Sequence, residues 1–137
     1  MKDNAIDFKS QNFFVGIDVH KKNWSITIRC LGLKLENFKM DPVPEQLAVH
    51  LNKKYPEGSF NSVYEAAFSG FWIHHRLIKL GINNIVVNPA DVPTTNKEKS
   101  NKNDIVDSRK LAKELENGTL NAIHIQSIEE QPRMALS

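Results

Sequence analysis

The run Phe13-Phe14-Val15-Gly16-Ile17-Asp18-Val19-His20 places a carboxylate inside an otherwise apolar stretch. The stretch is rich in aromatic and β-branched residues and too short for a helix, so it predicts a buried strand. A charged group there is costly unless it is ion-paired, hydrogen-bonded or bound to a metal. Whatever this chain folds into must therefore answer the charge of Asp18.

The segments that follow narrow the architecture. Asn23 to Cys30 alternates around Trp24, Ile26 and Ile28, the period of a half-buried strand. The short Lys21-Lys22-Asn23 link predicts an antiparallel hairpin with the first strand. Leu33 to Met40 can form a third strand after a Leu31-Gly32 turn. Pro42 and Pro44 then break the pattern, and Leu47, Leu51 and Tyr55 recur at helical spacing up to Pro56-Glu57-Gly58. Ser62 to Ala67 reads as a strand carrying Glu65, Phe71 to Leu80 as a helix stopped by Gly81, and Ile85-Val86-Val87 as a further buried strand. Pro89 to Lys102 is polar and aperiodic, as long functional loops often are. A last helix is predicted over Asn103 to Asn117, with Leu111, Ala112 and Leu115 as its apolar stripe and Gly118 as its stop.

Three strands, then helix, strand, helix, strand, helix: this order predicts an α/β fold, a mixed sheet of three antiparallel strands followed by two βα units, with helices packed on it. Among known folds the order resembles ribonuclease H. The expected organisation is a polar leader over residues 1–12, the α/β domain over 13–125, and the start of a helical region over 126–137. The last of these rests on the capping-box pattern Ser127-Ile128-Glu129-Glu130, which announces a helix and predicts that the chain is the first part of something longer.

Composition excludes some classes. Apolar residues make up 40% and charged residues 25%, a soluble globular balance. No segment approaches a membrane helix, the start has no apolar signal core, and the lone Cys30 cannot form an internal disulfide. A cytoplasmic protein without a membrane partner is expected. The net charge of +2 decides nothing about nucleic acid, but Lys97, Lys99, Lys102, Arg109 and Lys110 cluster around one polar stretch and are the candidate nucleic-acid contacts.

Four carboxylates carry the candidate chemistry. In a ribonuclease H-like sheet the strands of Asp18 and Glu65 are neighbours, so the two acids meet. Asp104 and Asp107, three apart at a helix start, face the same way, and steps of four from Asp107 reach Leu111 and Leu115. Four such groups together would resist ionisation unless cations neutralised them. Oxygen ligands without histidine or cysteine select Mg2+ or Mn2+, and two such ions about 3.5–4 Å apart support phosphodiester displacement. Asp104 and Asp107 also read as ordinary helix caps.

With these acids in place the chain resembles the DEDD-type insertion-sequence transposases, the family that includes the Piv and MooV DNA invertases. The matching segments are Gly16-Ile17-Asp18-Val19-His20-Lys21, Tyr64-Glu65-Ala66 with Gly70-Phe71, Gly81 to Pro89, and Lys102-Asn103-Asp104-Ile105-Val106-Asp107-Ser108-Arg109-Lys110-Leu111-Ala112 with Asn117-Gly118. The resemblance runs from about Phe13 to Arg133. It implies a RuvC-like domain whose catalytic, metal-binding acids are Asp18, Glu65, Asp104 and Asp107, with DNA as the partner and, in some members, a structured guide RNA. It implies a homo-oligomeric full-length protein. It also implies a C-terminal transposase domain with a nucleophilic serine, which these 137 residues do not include, so the domain alone is expected to be incomplete.

Rival readings remain open beside this one. A Holliday-junction resolvase-like nuclease shares the acids and metals. A truncated, non-catalytic nucleic-acid-binding or assembly module needs neither. Sugar kinases and actin-like ATPases also begin with a strand ending in aspartate, but His20-Lys21-Lys22-Asn23 is a poor phosphate cradle. His20, His50, His74, His75 and His124 lack ligand spacing, and His74 and His75 are expected on different faces of one helix. Trp24, Phe71 and Trp72 are read as core residues in preference to base-stacking ones, and Cys30 as a small core residue.

Overall fold

The computed structural model describes residues 8–66, 70–92 and 107–126. Strands β1 (Asn12–Val19), β2 (Trp24–Cys30), β3 (Leu33–Met40), β4 (Ser59–Glu65) and β5 (Asn83–Val87) form one sheet in the order β3-β2-β1-β4-β5. The first three pair antiparallel, while β4 runs parallel to β1 and β5 parallel to β4. Helix α1 (Pro44–Lys54) joins β3 to β4, α2 (Trp72–Lys79) joins β4 to β5, and α3 (Ser108–Asn117) follows a 3-10 turn at Pro89–Asp91. This is the expected α/β architecture, a five-stranded mixed sheet with helices packed on it, consistent with a ribonuclease H-like fold.

Element edges moved where polar residues masked a strand. The predicted Ser62–Ala67 strand begins three residues earlier, because Ser59 and Phe60 pair with Asn12 and Phe13. Likewise β5 starts at Asn83, paired with Asn61. The strands are long enough there to bury Ser62, whose hydroxyl donates to Asn84 Oδ1 at 2.7 Å, with Asn84 Nδ2 2.9 Å from His74 Nδ1. Phe8, within the polar leader, packs against the core beside Phe13.

Two apolar layers sandwich the sheet. On one face Phe13, Val15, Ile17, Trp24, Ile26, Ile28 and Tyr64 meet Leu47 and Leu51 of α1 and Ile73 and Leu77 of α2. On the other, Val63 and Val87 meet Val92 and Leu111. Period-two alternation assigns each strand residue to a face, and on the α3 side the row Thr27, Gly16, Val63 crosses the sheet.

Helix α3 lies close on that row. A Cβ at Gly16 would stand 2.1 Å from the Ser108 carbonyl oxygen and 2.6 Å from the Ala112 nitrogen. Thr27 Oγ1 and Ser108 Oγ share a buried hydrogen bond of 2.8 Å at the start of α3. At its other end Glu116 accepts from Arg29 Nε at 2.8 Å and from the Gly32 N–H at 2.9 Å. Arg29 pairs with Phe14 near the beginning of β1, so α3 runs antiparallel to β1 and points its N-terminus toward Asp18.

Gly16→Ala is therefore expected to destabilise the domain by about 1–3 kcal/mol or more, since backbone rather than a flexible side chain must yield. Gly32→Ala, with open space around it, should cost less, through its positive φ alone. Urea denaturation midpoints at unchanged slope would show the difference.

Candidate functional site

Asp18 and Glu65 occupy the position after the last paired residues of β1 and β4, Ile17 and Tyr64. They follow Gly16 and Val63 on the α3 face, at the carboxyl ends of the two central parallel strands. In open α/β sheets this is where ligands collect, because connections leave the central strands in opposite directions there. The Asp18 side chain is 16% exposed. Glu65 Oε2 is buried and has no hydrogen-bond partner among the described residues. Burial, and then the nearby charge of Asp18, push the Glu65 carboxyl up to about 7 from an ordinary 4.5. Buried polar atoms are almost always satisfied, so this orphaned oxygen is the least ordinary feature of the sheet.

Asp107 stands at the same end of the domain, as the N-cap of α3. Its Oδ1 accepts from the Lys110 N–H at 3.1 Å, and its Oδ2 from Arg109 Nη2 at 2.7 Å and Nε at 3.2 Å. Burial opposes its charge, but the guanidinium and the backbone N–H groups outweigh it and hold the carboxyl below its ordinary value. The capping role considered from sequence is thus present. Its backbone is extended, at φ −78° and ψ 176°, so the helix begins at Ser108 and helical spacing does not carry back through Asp107. The expected helix start at Asn103 and Asp104 lie outside the described residues, as do Lys97, Lys99, Lys102 and the pattern at Ser127–Glu130. Among the described residues, no three acidic, histidine or cysteine side chains are gathered in a metal-holding group. Asp18 and Glu65 are brought together, and Asp107 is brought to their end of the sheet but is held by Arg109.

Two of the histidines have partners that ligand spacing in the sequence did not reveal. His20 Nε2 lies 3.1 Å from Asp18 Oδ2. The signal was available: residues two apart at a strand end share a side. His50 belongs instead to a cluster on Glu36, which also takes Tyr55 and Lys54 and fastens α1 to β3. His74 and His75, expected on different faces, have ring centroids 5.3 Å apart in an edge-on contact. Neighbouring helix positions differ by about 100°, and two long side chains can still converge across that angle.

Trp24 and Cys30 are core residues, as expected. Phe71 and Trp72 are not: they are 40% and 51% exposed. Helix α2 buries Ile73 and Leu77, and Phe71 and Trp72 fall outside that stripe. A cavity of about 680 Å³, lined by Phe8, Leu35, Lys54, Tyr55 and Pro56 among others, opens near the amino ends of β1 and β4, away from the carboxylates. No helix among the described residues is long and apolar enough to cross a membrane.

No protein-family model matches the chain. A stretch of 53 residues is 40% identical to a protein of Sinorhizobium fredii named "Putative transposase y4rJ". The chain is similar to a transposase. The match covers 39% of this chain and 13% of that relative, so the chain corresponds to a small part of the relative's length.

The raised Glu65 carboxyl sets a pH signature. Between pH 4.5 and about 7 the folded state holds a proton that the unfolded state has released. Its contribution is therefore fully present below 4.5 and lost as pH rises through 7. In metal-free buffer Glu65→Gln should remove that loss and be more stable than the parent above pH 7. Parallel pH–stability curves for the two proteins would refute the assignment.

Proposed function

We propose that this chain is the metal-binding, nuclease-type domain of a DNA transposase or recombinase, with Asp18 as the central ligand and Glu65, Asp104 and Asp107 completing the set. One observation carries the reading: the buried Glu65 oxygen beside Asp18 at the carboxyl edge of β1 and β4, which has no partner among the described residues. Two acids placed so that one resists ionisation are poor design for stability alone and suit a site that a cation completes. The donors are all hard oxygens, which fit magnesium or manganese. The similarity to a transposase supports DNA as the substrate.

Bound divalent ions supply charge neutralisation and an activated attacking oxygen for phosphodiester displacement. This chain's own residues do the rest. Asp18 and Glu65 anchor the reacting end of the sheet, and the α3 N-terminus, with its dipole, favours negative charge nearby. Arg109, exposed and paired with Asp107, would release Asp107 toward the site when a phosphate competes for the guanidinium. Lys110 and the Lys97, Lys99 and Lys102 stretch extend the phosphate-contacting role.

The engagement of Asp107 by Arg109 favours a second reading, a nucleic-acid-docking module that does not cleave. Calorimetric titration with Mn2+ or Mg2+ separates the two. Saturable binding at millimolar metal, abolished in Asp18→Ala and weakened roughly 10–100-fold in Asp107→Ala, is the expected result. Metal at about a hundredfold its Kd should also stabilise the parent by about 2.7 kcal/mol, with no such gain in Asp18→Ala. DNA binding that needs no metal and is untouched by Asp18→Ala would select the docking module.

A further inference from the structure

Large aromatic side chains dominate cores because they bury so much apolar area. Phe13, Trp24, Tyr55, Phe60 and Tyr64 do so here, whereas Phe71 and Trp72, adjacent in sequence, are both exposed. Packing does not place them there, since Ile73 and Leu77 supply the buried stripe of α2.

The backbone on either side of the pair is held in place. The Tyr64 hydroxyl donates to the Gly70 carbonyl at 3.0 Å and accepts from the His74 N–H at 3.2 Å. Gly70 and His74 bracket Phe71 and Trp72, and Tyr64 immediately precedes Glu65. The aromatic pair is thereby tied, on the α2 side of the sheet, to the same end of β4 that carries the candidate carboxylate on the α3 side. The first turn of α2 contains no acidic residue, and its last turn carries Lys79 and an Arg76 that is paired with Glu45 of α1.

We propose that Phe71 and Trp72 form a stacking platform for unpaired bases of the DNA strand whose backbone lies at Asp18 and Glu65. The proposal rests on the nucleic-acid reading above and adds to it a substrate form: DNA with bases free of their duplex partners at the reacting site. Any base offers a π-face, so the platform would be tolerant of sequence. A fully paired duplex keeps its bases stacked on one another and presents none.

The test uses the full 137-residue chain in magnesium buffer with a single-stranded oligodeoxynucleotide carrying 2-aminopurine. Stacking on the pair should quench the probe. Trp72→Ala should lose the quenching and bind between roughly fivefold and a hundredfold more weakly, while Trp72→Phe keeps most of both. Since Trp72 is exposed, melting temperatures of these variants should match the parent and exclude misfolding. A matched, fully paired duplex should bind without dependence on Trp72. Parent binding to the single strand with Trp72→Ala indistinguishable from it would overturn the platform and leave the carboxylate site standing. The same holds if Trp72→Ala instead converts a dimer to a monomer in sedimentation with DNA affinity unchanged, which would assign the pair to a second copy of the chain. No DNA binding by the parent would sink both readings together.

Discussion

Helix α3 can lie on β1 only because Gly16 has no side chain. The Ser108 carbonyl and the Ala112 nitrogen occupy the volume that any Cβ would need, so backbone meets backbone over the centre of the sheet. That contact fixes the height of the helix, and two polar fastenings fix its direction. Thr27 with Ser108 holds the N-terminal end, and Arg29 with Glu116 holds the other. The candidate site depends on this arrangement, since an antiparallel α3 is what carries Asp107 to the end of the sheet where Asp18 and Glu65 stand.

The opposite face is an ordinary close-packed core, and it constrains the site indirectly. Ile17 and Tyr64 are fully buried there. Because side chains alternate, burying these two obliges Asp18 and Glu65 to turn toward α3. A slip of one residue would put the acids into the core, which neither could tolerate without a partner. Strand register and carboxylate placement are therefore one decision. The same core positions the Tyr64 hydroxyl to grip both sides of the exposed aromatic pair, linking the α2 side of the domain to the Glu65 edge.

The domain concentrates its electrostatic tension at one end. Away from the candidate site, two largely buried carboxylates are answered: Glu36 by Tyr55, His50 and Lys54, and Glu116 by Arg29 and a backbone N–H. At the carboxyl edge, Asp18 has His20 beside it, Asp107 has Arg109, and one buried oxygen of Glu65 has no partner among the described residues. Natural folds tend to leave such groups where a ligand completes them.

Much of this was legible in the chain itself. Short β-branched runs, proline breaks and a helical stripe ending at Gly118 determined the element order, and that order determined a mixed sheet. The apolar setting of Asp18 marked it as needing a partner, because the cost of burying charge is local. Other features depend on residues far apart in sequence. Polar residues in Ser59–Asn61 hid the first half of β4 until β1 paired with it. Trp24 lies within the strand alternation and is buried, whereas Trp72 lies outside the Ile73–Leu77 stripe and is exposed, a difference masked by the general tendency of large aromatics toward cores. The start of α3 at Ser108, and not earlier, follows from Asp107 capping it. The sequence by itself determined which acids could form a site and in what order the elements carry them. Only the tertiary structure decided that Glu65 Oε2 finds no partner among the described residues and that Asp107 finds Arg109, because hydrogen-bond satisfaction depends on what packs against a group and not only on its neighbours along the chain.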